Sequence, residues 1–289
     1  MSPGTPAAAP ADGAAGGGAG GEGGHDGLEV RLTWLGHSTV VLDVRTGARA
    51  TRLVTDPLLR RHAGLLRRRG GIPADVWRGS DAVLLSHAHH DHAEPASLRM
   101  LGPVPVLTAP ETARWLRGRG IEGRGLGDDE WFEVAPGVDV RLVPAVHGDR
   151  PMPHRPNAAN GHLVRVRWGG RTCVVWALGD TEAYAAMRET AGLAGAPVDV
   201  ALVPVGGWGP RLSGGHLGPR EAAQVCSEAG ARAAVPVHWG TLHAPGGRWL
   251  PPGWMDAAGL AFGVETAARA PGCRPVVLPV GGSWTVPVA

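Results

Sequence analysis

From residue 28 onward, short runs of β-branched and aliphatic residues alternate with glycine- and proline-containing turns. Val30 to Leu35, Thr39 to Val44 and Arg52 to Thr55 are three such runs, with Gly47 in one of the turns, and they predict a meander of consecutive strands. Ala82 to Leu85 has the continuous apolar pattern of a buried strand and leads directly into Ser86 and His87. Pro110 to Arg117 predicts a helix starting at the proline or at Glu111. Trp131 to Val134 and Val138 to Val143 predict a hairpin around Pro136 and Gly137.

The second half repeats the theme. His162 to Trp168 and Thr172 to Ala177 predict two strands joined through Gly169 and Gly170, a pair suited to a tight hairpin. Thr181 to Leu193 predicts a helix, Val198 to Val205 a buried strand, and Pro219 to Ala229 a helix closed by Gly230. Ala233 to Val237 is a strand ending on His238, Met255 to Ala268 a helix, and Val276 to Val280 a last strand. Two similar halves, each opening with a meander, predict an α/β fold: a four-layer αββα sandwich of two mixed sheets with outer helices. The halves share one core, so residues 28–289 form one domain.

Residues 1–27 are almost all Gly, Ala, Pro and small polar residues. Such a segment buries too little apolar surface to offset its ordering entropy and is expected to be a disordered tail. It lacks the basic start and the apolar run of a signal peptide. No later stretch is apolar for long enough to span a bilayer, so the expected compartment is the cytoplasm.

The formal net charge is +2, and every basic side chain is an arginine. The absence of lysine excludes a P-loop lysine, a Schiff base and a Ser-Lys dyad. Near-neutral charge gives no nucleic-acid footprint. Arg60, Arg61, Arg67, Arg68 and Arg69 form a locally basic run, expected to be a solvated face. Cys173, Cys226 and Cys273 are widely spaced and odd in number, which argues against a disulfide framework or a cysteine zinc site; Cys173 and Cys226 sit in apolar contexts as buried thiols.

The strongest chemical signal is Ser86-His87-Ala88-His89-His90-Asp91-His92, with the spacing H-x-H-x-D-H at the end of an apolar strand. A strand end delivers side chains onto a tight loop where imidazoles and a carboxylate converge, a donor set suited to zinc, manganese or iron. Asp56 in Thr55-Asp56-Pro57, His147, Asp180 and His238 each follow a predicted strand as well.

These five elements, in this order, resemble the metallo-β-lactamase superfamily over nearly all of residues 30–285. Within it the chain looks most like the branch that holds ascorbate-6-phosphate lactonase and N-acylphosphatidylethanolamine phospholipase D. Trp34-Leu35-Gly36-His37, Thr55-Asp56-Pro57, His216 with Pro219 and Glu221 behind it, and His238-Trp239-Gly240-Thr241 carry that likeness. The resemblance implies two divalent ions. His87, His89 and His147 hold the first, Asp91, His92 and His238 the second, and Asp180 bridges them; Asp56 orients a ligand histidine from behind. Two cations, two carboxylates and a hydroxide leave a site of about +1, able to generate hydroxide near neutral pH, to polarise a carbonyl or phosphoryl oxygen, and to favour an anionic substrate. Asp91 is expected to position the attacking oxygen or accept a proton, and His216 to contact substrate or the developing oxyanion. His37 is open between a buried structural donor and an edge of the site. His90 is expected to point away from it.

The implied function is hydrolysis of a small ester, lactone or amide. The alternatives are a phosphodiesterase with the same metals, and a non-catalytic or redox member of the fold. The loop Gly148 to Asn160 follows His147 and carries Arg150, Arg155, Asn157 and Asn160. Its arginines are expected either to hold an anionic group or to be solvated. Trp208, Trp239 and Trp249 are candidate pocket walls or core residues.

Overall fold

The computed structural model describes residues 27–147, 154–247, 250 and 253–288. Residues 1–26 of the predicted disordered tail, Arg150 and Trp249 therefore lie outside the described residues.

In chain order the strands are β1 (Leu28–Gly36), β2 (Thr39–Thr46), β3 (Arg49–Thr55), β4 (His62–Ala63), β5 (Leu66–Arg68), β6 (Ala82–Leu84), β7 (Val106–Thr108), β8 (Gly123–Gly125), β9 (Trp131–Ala135), β10 (Val138–Pro144), β11 (Asn160–Trp168), β12 (Arg171–Ala177), β13 (Val200–Pro204), β14 (Ala233–Val237), β15 (Leu242–His243), β16 (Arg274–Pro275) and β17 (Ser283–Thr285). The α-helices are α1 (Pro95–Met100), α2 (Pro110–Arg117), α3 (Thr190–Ala194), α4 (Pro219–Glu228) and α5 (Trp254–Arg269). One sheet has the order β17-β1-β2-β3-β6-β7-β8 and the other β16-β14-β13-β12-β11-β10-β9. In each, an antiparallel meander gives way to parallel strands: β3 runs parallel to β6 and β6 to β7, as β12 does to β13 and β13 to β14. This is the symmetry expected of two halves.

Alternation along the strands places Val30, Leu32, Trp34, Val40 and Leu42 of one sheet in the same buried cluster as Val138, Val140, Val164 and Val175 of the other. That apolar interlayer is the main core. On the outer face of the first sheet, Leu98 of α1 and Leu116 of α2 pack with Val83, Leu85 and Val106. Helices α4 and α5 cover the second sheet, where Ala222, Val225 and Phe262 join the core. The arrangement is the four-layer αββα sandwich. No helix of the described residues is long and apolar enough to cross a membrane.

Several local expectations are corrected. Residues 181–184 are not helical; a 3₁₀ turn over Ala185–Glu189 precedes the short α3. Here Thr181 Oγ1 accepts from the amide of Val146 at 2.9 Å and the amide of Glu182 donates to the Val146 carbonyl at 3.0 Å, which holds the segment extended. The last strand is not at 276–280. The chain leaves the second sheet after Pro275, bends through Pro279 and Gly281, and joins the first sheet as β17 beside β1. The arginine run is not a uniform solvated face: Arg68 is buried and Arg69 pairs with Asp256. All three cysteines are buried and free, yet the fold brings Cys226 and Cys273 near enough for each thiol to shift the other's acidity.

Candidate metal centre

The C-terminal ends of β1, β3, β6, β10, β12 and β14 meet at one edge of the sandwich, and each is followed by a predicted site residue or, after β1, by His37, which the sequence left open. His37 follows β1, Asp56 follows β3, the His87–His92 loop follows β6, His147 follows β10, Asp180 follows β12 and His238 follows β14. Among the described residues, the only non-glycine positions at positive φ are His37 (52°), Asp56 (32°) and His238 (63°). Left-handed backbone at such side chains costs roughly 1–3 kcal/mol each, and all three positions belong to this edge.

The side chains converge in overlapping groups. His87, His89 and His147 form one, with His89 Nδ1 3.0 Å from His147 Nε2. Asp91, His92 and His238 form another, which also contains His37. Asp180 lies between them: its Oδ2 is 3.1 Å from His92 Nε2, 3.1 Å from His238 Nε2 and 3.3 Å from His216 Nε2. Every predicted ligand except the half-buried His89 is buried.

Outer hydrogen bonds decide which ring nitrogen faces inward. Asp56 accepts from the Ser86 amide at 2.7 Å, from Ser86 Oγ at 2.7 Å and from His92 Nδ1 at 2.8 Å. Because Ser86 Oγ donates to Asp56, it accepts from His87 Nδ1 at 2.9 Å. One carboxylate thus fixes the tautomer of two histidines, one directly and one through Ser86. His147 Nδ1 donates to the Gly215 carbonyl at 2.7 Å and His238 Nδ1 to the Gly206 carbonyl at 2.8 Å. In His87, His92, His147 and His238 the Nε2 lone pair is therefore left for the centre. His89 is the exception and turns Nδ1 inward.

Burial pushes His87 well below the ordinary histidine range and His89 down to about 4, so both rings are neutral near pH 7. Burial also opposes charge on His238, but the facing carboxylates of Asp180 and Asp91 outweigh it and lift His238 to about 9. His92, between Asp180 and Asp56, is likewise raised despite its burial. In the metal-free chain these two rings carry protons that balance the buried carboxylates.

His87 Nε2 and Asp180 Oδ1 are buried atoms without a hydrogen-bond partner, and His238 Nε2 has only its charge contacts with Asp180 and Asp91. Leaving such buried atoms unmatched costs about 1–3 kcal/mol each, a cost that a bound cation would offset. Imidazole and carboxylate atoms within 4.8 Å of one another are a donor set that fits divalent cations.

A beta-lactamase superfamily domain model matches residues 51–239, which contain the whole constellation except His37. The chain belongs to the beta-lactamase superfamily. A UPF0173 metal-dependent hydrolase of Methanospirillum hungatei is 30% identical over 220 residues, covering 74% of this chain and 84% of that protein. The N-acyl-phosphatidylethanolamine-hydrolyzing phospholipase D 1 of Caenorhabditis elegans is 24% identical over 72% of this chain, which spans 63% of that protein. Among solved structures, Igni18, a metallo hydrolase of Ignicoccus hospitalis, shares the fold with a TM-score of 0.65 at 20% identity, over 90% of this chain and 99% of that one. This superfamily member is a metal-dependent hydrolase.

One role differs from the expectation. Arg155 does not face the site as an anion clamp. Its guanidinium turns inward, donates to the carbonyls of Ala88 and Ala93 at 2.5 and 2.9 Å and to His90 Nδ1 at 2.9 Å, and stacks 4.8 Å from the Trp115 ring centroid. It staples both ends of the histidine loop. Asn160 is also structural: its side chain accepts from the Ala109 amide at 3.0 Å. The position of His37 is decided, with Nε2 3.2 Å from Asp91 Oδ2. The role of Ser86 was missed, although its place between an apolar strand and His87 marks it. The β4–β5 hairpin beside the site was missed too, because its strands are too short to show a period.

Proposed function

We propose that the protein holds two divalent cations at this edge and hydrolyses a small ester, lactone or amide. His87, His89 and His147 would hold one cation, Asp91, His92 and His238 the other, with Asp180 shared between them. The observation that carries this reading is the converging set of donor atoms, with His87, His92, His147 and His238 each fixed by an outer partner and His87 Nε2 and Asp180 Oδ1 left without any hydrogen bond. Bound there, zinc, or manganese or iron, supplies a Lewis acid and lowers the pKa of water.

The chain's own residues would do the rest. Asp91 Oδ2, buried and held by His37 Nε2, is placed to accept a proton. Asp56 keeps His92 and, through Ser86, His87 in orientation. His216 stands at the open side, with Nδ1 held 3.2 Å from the Ser213 carbonyl and 3.1 Å from that of Gly214. Its Nε2, 3.3 Å from Asp180 Oδ2, borders the cavity, where the ring would contact substrate or a developing oxyanion. His89, Asp91, His147, Asp180 and His216 line a cavity of about 590 Å³, within the size range of small-molecule pockets.

A second reading, phosphodiester cleavage by the same centre, is supported by the Caenorhabditis elegans relative and by Arg211. That arginine lines a smaller cavity of about 280 Å³ that shares Trp208, Ser213 and His216 with the larger one. The test is elemental analysis of gently purified protein, followed by turnover assays on esters, lactones, amides and phosphodiesters. Close to two metals per chain with ester or lactone turnover is expected. A chain that stays metal-free when offered zinc and manganese would sink the reading, and turnover confined to phosphodiesters would replace it with the second.

A further inference from the structure

The cavity over the metal centre has two unlike walls. Its floor is the histidine and aspartate cluster, and its far side is Ala63, Gly64, Leu65, Leu66 and Trp208. No arginine is among its described lining residues, and Arg155, one of the two loop arginines considered for holding an anionic group, is committed to the backbone of the histidine loop. The aliphatic wall is a built feature. Strands β4 and β5 form a hairpin in which Ala63 pairs with Leu66 across a two-residue turn, with Gly64 at φ +61°.

The base of this hairpin is anchored. β5 also pairs with β15, and Ala63 packs with Leu58 and Leu242 in a small apolar cluster. At the tip, Gly64 lies close over the His90 ring, where an added Cβ would be 3.5 Å away. His90 is itself held by Arg155. The tip is thus propped by His90 and Arg155, yet Leu65 is 83% exposed and Trp208, which lines the same cavity, 41% exposed. Large apolar groups held out into water at the mouth of a site mark a surface meant to be covered. Since the same cavity ends on Asp91, Asp180 and His216, what covers it must also reach the reacting centre.

We propose that Leu65, Leu66 and Trp208 form a subsite for an uncharged alkyl or aryl chain attached to the scissile group, and that they set substrate preference by chain length. This rests on the hydrolase reading above and names the substrate class for it: acyl compounds with an apolar tail. The expected anionic preference is not served by this wall. An apolar chain is favoured here because burying each methylene strengthens binding about fourfold, whereas a charged group would lose its hydration with no counter-ion among Ala63, Gly64, Leu65, Leu66 and Trp208.

The experiment uses the full-length, metal-loaded protein and two probe series. The first is p-nitrophenyl esters from acetate to octanoate. The second is n-alkyl hydroxamic acids of the same lengths, followed by calorimetry, which reports on the subsite without turnover. For the unmodified protein, kcat/KM and hydroxamate affinity should both climb with chain length, by about fourfold per methylene until the cavity is filled. In Leu65→Ser and in Trp208→Ala that dependence should fall below about twofold per methylene, judged against the same constant. Each variant is first checked for unchanged metal content. Equal affinity for acetohydroxamate and octanohydroxamate in the unmodified protein, or a chain-length slope preserved in both variants, overturns the proposal. A hydroxamate slope without cleavage of any ester keeps the subsite and overturns the ester reading instead.

Discussion

His37 and His238 are clasped backbone to backbone: the His238 amide donates to the His37 carbonyl at 2.9 Å, and both residues stand at positive φ. The two belong to different sheets, His37 to the turn after β1 and His238 to the end of β14. Thr241 strengthens the clasp by accepting from the His37 amide at 2.7 Å, and the two imidazole centroids lie 4.0 Å apart. Gly36 leaves the room this needs, since a Cβ there would fall 2.8 Å from Thr241. The strained turns thus fix both histidines around Asp91.

It follows that His37 acts on the metal centre through Asp91. His37→Asn should keep the clasp, because asparagine tolerates left-handed backbone, while losing the 3.2 Å contact to Asp91. Loss of such an outer partner typically weakens metal affinity about 10- to 100-fold. Competition with a chromogenic chelator should show the second equivalent of metal weakened and the first nearly unchanged. Equal weakening of both, or of neither, would contradict the assignment of Asp91 to one of two sites.

Arg155 offers a contrasting test, because the two roles considered for it predict opposite results. As a staple on the carbonyls of Ala88 and Ala93, its replacement by alanine leaves buried acceptors unmatched and should cost about 2–3 kcal/mol of stability. Metal retention should fall with it. Thermal melts and metal analysis of Arg155→Ala check this. A normal melting temperature with a raised KM for anionic substrates alone would restore the anion clamp.

What could be read from the sequence and what could not divide along a physical line. Asp56, His87, His147, Asp180 and His238 were legible because each ends a strand, and a strand shows itself through its apolar pattern. Their convergence at one sheet edge follows from the topology. The partners that fix them were less visible. Gly206 and Gly215 serve through carbonyls, and any residue has a carbonyl. Arg155 reads as a loop arginine until the fold sets it on the backbone of Ala88 and Ala93. The hairpin of β4 and β5 has two- and three-residue strands inside an arginine-rich run, too short for alternation to register. Cys226 and Cys273 meet only because β16 returns beside β14.

The metal-free protein should be most stable near pH 6.5–7. His238 is held at about 9, above the 6.5 of an unfolded histidine, so its contribution is complete below 6.5 and disappears as pH rises through 9. His89, held by burial at about 4, and His87, lowered further, act in the other direction. The unfolded chain takes up their protons as pH drops below 6.5, so stability falls on the acid side too. Metal should displace the proton on His238 and flatten the alkaline limb, with protons released on binding. Melts of chelator-treated and metal-loaded protein from pH 5 to 9.5 measure both limbs. An alkaline limb unchanged by metal would exclude His238 as a ligand.

Asp180 and His216 are 3.3 Å apart, yet their loss should have different consequences. Asp180 is buried and faces His92, His238 and His216 at once, with Oδ1 lacking any other partner. With two cations held as proposed, Asp180→Ala would remove a shared ligand and the negative charge between them, leaving the cations to repel each other. Metal content should drop below two per chain, and residual activity should be lost with it. His216 is only partly buried, and its Nδ1 is held by loop carbonyls rather than by a buried acid. His216→Ala should keep the metals and lower kcat by roughly 10²-fold, the usual cost of one oxyanion donor, with KM little changed. Measuring metal content and kcat on the same preparations separates the two. Metal loss in His216→Ala would make it a ligand alongside His147 and Asp180, a group its position also allows. Full activity in His216→Ala would remove it from the chemistry altogether.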